Sequence, residues 1–182
     1  MQLNDRKLKI GLLLDDTLDK PDGVQQYVVT LGEYLKSIGH EVHYLGPETG
    51  RNDLSNIHAL TTYVSVKFNQ NNVRTPKPAG MKNIKKLLSE LELDVLHVQM
   101  PYSPLFAAKV IRAVPKTTKV VGTFHILPAS KIHRYANAAL RLSLLRSLKR
   151  FDEVVAVSAP AAEFARKVYG LKCHVIPNCI EL

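Results

Sequence analysis

Hydrophobic residues alternate between strand-like and helix-like spacing from the start of the chain. The short apolar run Leu8–Leu14 predicts a buried strand. From Val24 to Ile38 apolar residues recur at helical spacing and Gly39 follows as a terminator, which predicts a helix of about four turns. Glu41–Leu45 predicts a second strand. The chain therefore opens with a β-α-β unit, whose crossover we expect to be right-handed.

The same alternation continues to the end of the sequence. The further predicted strands are Ala59–Phe68, Asp94–Val98, Thr118–Thr123, Glu153–Val157 and Cys173–Ile176. The further predicted helices are Met81–Leu91, Pro104–Val114, Lys131–Arg150 and a last helix capped by Ser158, while the Asn- and Pro-rich stretch Asn69–Ala79 predicts a loop. We therefore predict an α/β fold with a doubly wound, Rossmann-like parallel sheet around one core.

The loop Asp15–Gly23 joins the first strand directly to the first helix. The first N–H groups of a helix lack partners and the helix dipole places partial positive charge there, so a strand, a glycine-containing turn and a helix N-terminus form a ready anion site. This arrangement favours a protein that handles phosphates or sugars. The alternative is an ordinary turn of a doubly wound sheet, in which Gly23 only lets the chain turn.

Charge is distributed unevenly along the 182 residues. Residues 54–151 carry sixteen Lys and Arg against three acidic residues, whereas the rest of the chain has a net negative charge. Such a basic region suits an anionic partner, either an acidic lipid surface or a phosphorylated substrate. The absence of a helix-turn-helix, zinc-finger or RNP-type motif argues against nucleic acid. The alternative is a basic face that is merely solvated.

Several classes of protein are disfavoured by motifs that the sequence lacks. No apolar run approaches the roughly 18 residues of a membrane span, and the first residues lack the layout of a secretory signal, so we expect a cytoplasmic protein, at most peripheral on the inner face of the membrane. Cys173 and Cys179 fit neither a disulfide framework nor a zinc motif. The sequence contains no dinucleotide fingerprint, phosphate-binding loop, Gly-x-Ser-x-Gly elbow or clustered metal ligands.

The candidate chemistry lies just after the predicted strands, because ligands of such sheets bind at the carboxyl ends of the strands. The residues at these positions are Asp15 and Asp16, His97 to Pro101, Phe124 and His125, and Val157 and Ser158. His125 directly follows a strand and is expected to reach the crevice. His97 lies inside a strand pattern, where it is either packed or functional.

A series of short motifs, in this order, resembles a known family. The motifs are Lys9–Gly11, Pro21–Gln25, Gly39–Val42, Asp94–Val98, Gly122–His125, Val155–Ser158 and Val175–Asn178. Together they resemble the N-terminal domain of retaining GT-B glycosyltransferases of family four, and within that family they are most similar to phosphatidylinositol mannosyltransferases. The resemblance covers nearly the whole chain.

The resemblance implies two Rossmann-like domains, of which the N-terminal one holds the acceptor and the C-terminal one the nucleotide-sugar. It implies that His125 lines the donor sugar's position as the catalytic residue and that the backbone at Gly23 approaches phosphates. Members of the family need no metal or other cofactor. The substrate- and phosphate-binding residues that we expect here are Asp16, Asp22, Gly23, Val24, Gln25, Phe124 and Ser158.

This sequence departs from the family pattern in three places. Asp22-Gly23 stands where the family has paired glycines, and Asp16 stands where the mannosyltransferases carry an aromatic acceptor contact. Val175–Ile180 resembles the hinge into the donor domain, with Cys179 in place of glycine. We therefore expect residues 1–176 to form one half of a GT-B fold and residues 177–182 to begin the hinge, with the donor-binding domain absent from this sequence.

The leading hypothesis is a glycosyltransferase domain that transfers a hexose from a nucleotide-sugar, with retention, to a lipid-linked or polyol acceptor. It requires a second, donor-binding domain, so we expect the 182-residue chain alone to be inactive. Two alternatives remain open. One is a non-catalytic module that binds a phosphorylated ligand, and the other is a structural protein associated with polyanions.

Overall fold

Nine strands and five helices make up the part of the chain that the computed structural model describes, which is residues 6–19, 22–68, 71–125 and 141–178. In chain order they are β1 (Lys9–Leu13), α1 (Gly23–Ser37), β2 (Glu41–Pro47), β3 (Ile57–Thr61), β4 (Tyr63–Phe68), β5 (Asn71–Pro76), α2 (Met81–Leu91), β6 (Val95–Met100), α3 (Ala107–Ala113), β7 (Lys119–Phe124), α4 (helical over residues 141–148), β8 (Glu153–Ala156), α5 (Ala159–Phe164), which continues as a π-helical turn (Ala165–Tyr169), and β9 (His174–Val175).

The central sheet has seven strands in the order β3-β2-β1-β6-β7-β8-β9, and every neighbouring pair is parallel. From β1 the chain builds outward to β3 on one side, and from β6 it builds outward to β9 on the other. The direction of winding therefore reverses between β1 and β6, and a crevice forms at the carboxyl ends of strands at such a point. The predicted Rossmann-like α/β fold is confirmed.

Helices cover both faces of this sheet, because its strands alternate their side chains between two hydrophobic clusters. In β1 and just after it, Leu12 and Leu14 pack with Val28 of α1, whereas Leu13 packs with Ile84 of α2 on the opposite face. Helices α3, α4 and α5 add to the α2 side. Among the described helices, α1 is the one that packs on this face, next to the β1–β6 crevice.

The prediction for residues 59–79 is wrong. Ala59–Phe68 is not one strand: β3 ends at Thr61, and β4 pairs antiparallel with β5 in a separate hairpin. The stretch Asn69–Ala79 was expected to be a loop, yet it contains β5. The strands β4 and β5 pair at six positions. This pairing provides partners for backbone groups in a stretch whose Asn and Pro content predicts a loop. Pro76 is tolerated because it ends β5.

Other boundaries differ only at the ends of elements. Helix α3 begins at Ala107 rather than Pro104, and the last strand shortens to His174–Val175. Of the predicted helix Lys131–Arg150, residues 141–148 are helical, and residues 131–140 lie outside the described part. Ser158 caps α5 as predicted, since the backbone N–H of Ala161 donates to its Oγ at 3.3 Å. Within the described ranges, no helix is long and apolar enough to cross a bilayer.

Candidate functional site

A cavity of about 370 Å³ opens at the carboxyl ends of β1 and β6, where the winding of the sheet reverses. Its walls come from the loop after β1, the start of α1, the end of β6 and the residue after β7. The lining residues are Leu14, Asp15, Asp16, Asp22, Val24, Gln25, Pro76, Gln99, Met100, Pro101, Ser103 and His125. The Met100–Pro101 peptide bond is cis.

Asp15 ties the end of β1 to the start of α3. Its carboxylate accepts hydrogen bonds from the backbone N–H of Ser103, from Ser103 Oγ at 3.3 Å and from the N–H of Ala107 at 3.2 Å. Burial raises the pKa of Asp15 to about 6, although these hydrogen bonds oppose the shift. One carboxylate thereby joins two loops that both line the cavity.

Asp16 and Asp22 face the cavity on either side of the Gln25 side chain, which is 3% exposed. In one orientation of the amide, Gln25 Nε2 donates to Asp16 Oδ2 at 3.3 Å, and in the swapped orientation the same group donates to Asp22. Asp16 also accepts from the N–H of Thr17 at 2.8 Å. Two carboxylates thus lie within reach of one buried amide.

Gly23 is the first residue of α1 and lies on the rim between the lining residues Asp22 and Val24. Its φ is not in the left-handed region, and a Cβ built on it would contact nothing within 4 Å. The first backbone bond of the helix runs from Gln26 N–H to the Asp22 carbonyl, so the preceding N–H groups point out of the helix end. The backbone conformation of this turn therefore does not require glycine. The remaining reason to expect glycine at this position is the close approach of a ligand to the backbone.

His125 lies half-buried at the cavity, on the same side as the start of α1, as the sequence predicted. Its Nε2 is 2.7 Å from Gln99 Oε1, and its ring meets Tyr27 of α1 edge-on at 5.0 Å between centroids. Because Gln99 presents an oxygen, the Nε2 of His125 donates and Nδ1 is left as an acceptor. Burial lowers the pKa of His125 to about 4, so the ring is neutral at neutral pH.

A second polar layer lies behind His125, on the α1 face of β6 and β7. His97 is buried, and its Nε2 lies 2.6 Å from Thr123 Oγ1, which in turn lies 3.4 Å from the Tyr27 hydroxyl. Burial lowers the pKa of His97 to about 4. His97 is thus packed rather than exposed to the cavity, and it helps hold Tyr27 against His125.

We expect acid to destabilise the protein through His97. Its folded pKa lies below its unfolded value, so the stability it contributes is present above about pH 6.5 and is lost as pH falls towards 4. The shift corresponds to about 3 kcal/mol in the free energy of unfolding. In urea titrations the difference between wild type and His97→Asn should shrink by roughly that amount from pH 7 to pH 4. His174→Gln, at an exposed histidine, is the control. If wild type and His97→Asn differ in the free energy of unfolding by the same amount at pH 7 and at pH 4, the lowered pKa of His97 is contradicted.

Phe124 and Ser158 do not line this cavity. The Phe124 side chain is fully buried between Phe164 and Tyr169, with ring centroids 5.9 and 5.7 Å away. Side chains alternate along β7, so Thr123 faces α1 and Phe124 faces the opposite core. Phe124, which was expected among the substrate- and phosphate-binding residues, therefore turns its side chain away from the cavity. Ser158 caps α5 instead.

Three residues that line or support the cavity are not among the predicted site residues. They are Asp15 and Gln99, which line it, and Tyr27, which packs against His125. Two signals were available: Gln99 follows His97 by two positions and shares its face of the strand, and Tyr27 lies one turn after Gly23 on α1. Among the described residues, no group of three His, Cys, Asp or Glu side chains is placed to hold a metal ion.

Solved structures of two glycosyltransferases share this fold. A glycosyltransferase from Rickettsia africae aligns with 94% of this chain and 43% of its own, at 18% identity and a TM-score of 0.58. An α-glucosyltransferase in complex with UDP and DNA covers 94% of this chain and 42% of its own, at 14% identity and a TM-score of 0.58. At these identities the similarity shows the fold alone.

Sequence relatives include two phosphatidyl-myo-inositol mannosyltransferases. The protein of Propionibacterium freudenreichii is 30% identical over 96% of this chain and 47% of its own length, and that of Mycolicibacterium smegmatis is 27% identical over 96% and 45%. The chain therefore spans about half the length of these curated relatives. The sequence model of Glycosyltransferase Family 4 matches residues 21–182. Because this match extends over most of the chain, the chain belongs to glycosyltransferase family 4.

Proposed function

We propose that this chain is the acceptor-binding half of a glycosyltransferase, which transfers a hexose from a nucleotide-sugar to a lipid-linked or polyol acceptor with retention. A second domain, corresponding to the other half of the longer relatives, would hold the donor. The observation that carries the proposal is the cavity at the β1–β6 crevice, where His125 and the start of α1 meet.

The lining residues suit the positioning of an acceptor hydroxyl. Carboxylates at Asp16 and Asp22 accept hydrogen bonds from hydroxyl groups, and the outward N–H groups at the start of α1 donate to oxygen. His125 is neutral and held by Gln99, so it offers a fixed dipole rather than a charge to the sugar whose anomeric carbon becomes positive. Fixed geometry of this kind lowers the barrier by placing both reacting partners in line.

The test is a transfer assay on a fusion of this chain to the donor-binding half of the Propionibacterium freudenreichii relative. Labelled nucleotide-sugars are offered with lipid-linked and polyol acceptors. We expect product from the fusion and none from the chain alone, because one wall of a two-domain cleft cannot hold both substrates. Product from the chain alone contradicts the two-domain requirement. A folded fusion that binds donor yet transfers to none of the acceptors contradicts the proposed function.

We also propose that the protein works at the cytoplasmic membrane surface, held peripherally by basic residues. Lys82, Lys85 and Lys86 of α2 are all exposed. Each basic residue near an anionic bilayer contributes about 1 kcal/mol or less, so the three together support weak, reversible binding.

Reversing these three charges to Glu should lower sedimentation with anionic liposomes at least tenfold at low salt, and high salt should release the wild type. The matched control reverses Arg166, Lys167 and Lys172, which are exposed near the other edge of the sheet. Equal sedimentation with anionic and neutral liposomes, or equal loss in both triple variants, contradicts binding through α2.

A further inference from the structure

We infer that Asp15 is a positioning residue, which holds the turn after β6 in place and so sets the shape of the cavity that an acceptor meets. The identity of that ligand rests on the proposed function, whereas the contact itself does not. The observation behind the inference is one partly buried carboxylate that accepts three hydrogen bonds across the cavity wall.

Ser103 connects Asp15 to the start of α3. Asp15 accepts from the N–H of Ser103 at Oδ2 and from its hydroxyl at Oδ1, and the same hydroxyl oxygen accepts from the N–H of Phe106 at 3.3 Å. The Ser103 carbonyl accepts from the N–H of Ala108 at 3.1 Å. Holding Ser103 therefore holds the turn that leads into α3.

This turn and the loop after β1 both contribute to the cavity wall. Pro101 and Ser103 line the cavity from the turn, and Asp15 lines it from the loop after β1. Asp15 and Ser103 are 88 residues apart in sequence, so the relative position of the two segments depends on contacts between them rather than on the chain that joins them. The hydrogen bonds of Asp15 are such contacts.

A carboxylate suits this position because each of its oxygens meets a backbone donor. The N–H of Ser103 is bonded to Oδ2 and the N–H of Ala107 is bonded to Oδ1. An asparagine side chain presents one oxygen and one NH2 group, so one of these two N–H groups would face a donor. A donor without an acceptor in a partly buried wall is costly, and the turn would move to relieve it.

The contact is also sensitive to acid. A proton on either oxygen of Asp15 weakens the hydrogen bond that this oxygen accepts, because bonds to an ionised group are the stronger ones. Burial raises the pKa of Asp15 from its ordinary value of 3.8 to about 6, so the proton binds in mild acid. The folded protein binds this proton more readily than the unfolded chain does. Protonation therefore loosens the cavity wall without unfolding the protein.

Other titratable groups surround Asp15. They are Asp16 on the same loop, Asp22 at the start of α1, Tyr102 in the turn after β6 and His125 after β7. The charge of Asp16 adds to the raised pKa of Asp15. His125, with a pKa of about 4, stays neutral between pH 5 and pH 8, and burial raises the pKa of Tyr102, which keeps its hydroxyl uncharged. The amide signals of Ser103 and Ala107 therefore report on Asp15 more directly than ligand binding does.

The first measurement follows backbone amide signals of the ¹⁵N-labelled 182-residue chain from pH 5 to pH 8. In wild type, the signals of Ser103 and Ala107 should shift with a common midpoint near pH 6, and in Asp15→Asn neither should titrate. Asp152→Asn is the matched control, because Asp152 Oδ2 accepts from the N–H of Val120 at 2.8 Å at the amino end of the sheet. That bond lowers the pKa of Asp152, so the Val120 signal should stay constant over this range.

The second measurement is the dissociation constant of myo-inositol, used as a polyol probe, from saturation-transfer NMR at pH 7.5 and pH 5.5. Asp15→Asn should weaken binding about tenfold at pH 7.5, the scale of one lost hydrogen bond to a charged group. Wild type should lose about threefold in affinity from pH 7.5 to pH 5.5, whereas Asp15→Asn should show no such pH dependence. Asp152→Asn should bind as wild type does at both pH values, and circular dichroism checks that each variant is folded.

Two results would overturn the role of Asp15. One is that Ser103 and Ala107 do not titrate in wild type, which can be seen even if Asp15→Asn folds poorly, or that they titrate alike in Asp15→Asn. The other is unchanged affinity for myo-inositol in folded Asp15→Asn, which leaves the proposed function standing. If myo-inositol does not bind wild type, the proposed polyol acceptor fails, and the amide titration still decides the role of Asp15.

Discussion

Replacing His125 with alanine in a form that contains the donor-binding domain should lower the turnover number about a hundredfold. The ring is held between Gln99 and Tyr27, so it is already oriented before substrate arrives. Removing one preorganised polar group from a transition state of developing charge costs about 2–4 kcal/mol. The effect should fall on kcat rather than on the KM of the acceptor, as measured by initial rates in the fusion protein.

His40→Ala is the matched control, because His40 lies at the amino end of the sheet, where its Nδ1 accepts from the N–H of Leu8. It should keep near-normal turnover. The neutral state of His125 gives a further readout: its pKa of about 4 means that it contributes no change of rate between pH 6 and pH 8. Near-normal turnover in His125→Ala removes this residue from the catalytic site.

Gly23→Val should abolish ligand binding at the rim of the cavity without unfolding the protein. A Cβ at this position contacts nothing within 4 Å, so the fold should tolerate the substitution. It would nevertheless stand in front of the outward N–H groups at the start of α1, where a ligand oxygen would approach. Binding of myo-inositol by NMR should weaken beyond detection, and the circular dichroism spectrum should stay the same.

Gly80→Val separates this steric effect from a general effect on helix ends. Gly80 is the N-cap residue of α2, and a Cβ there also contacts nothing within 4 Å, yet Gly80 does not line the cavity. This variant should bind as wild type does. Normal binding by Gly23→Val would show that the turn at Gly23 is only structural.

The sequence predicts the sheet well because buried parallel strands carry long apolar runs that few other structures explain. The hairpin of β4 and β5 is predicted only in part: β4 lies within the predicted strand Ala59–Phe68, whereas β5 is rich in Asn and Pro, which are depleted in strands. No local pattern in Asn71–Pro76 indicates that this segment pairs with Tyr63–Phe68.

The site was predictable in its position but only partly in its residues. His125, Asp16 and the start of α1 follow from the rule that ligands bind at the carboxyl ends of strands. The sequence motif did not indicate that the Phe124 side chain points away from the cavity. A motif places a residue near a site but does not say which face of the strand the side chain takes. Asp15 and Gln99 needed the structure, since their roles depend on Ser103 and His125, which are distant from them in sequence.

The most direct test of the account is to map where an acceptor binds on the ¹⁵N-labelled chain. Adding myo-inositol should shift the side-chain amide signals of Gln99 and the ring nitrogens of His125, and should leave the backbone signals of Gly39 and Gly170 unchanged. A nucleotide-sugar alone should move none of these signals, because in the proposed enzyme a second domain holds the donor against His125. If the nucleotide-sugar shifts Gln99 and His125 while the polyol does not, the cavity is a donor site and the proposed division of the enzyme is wrong.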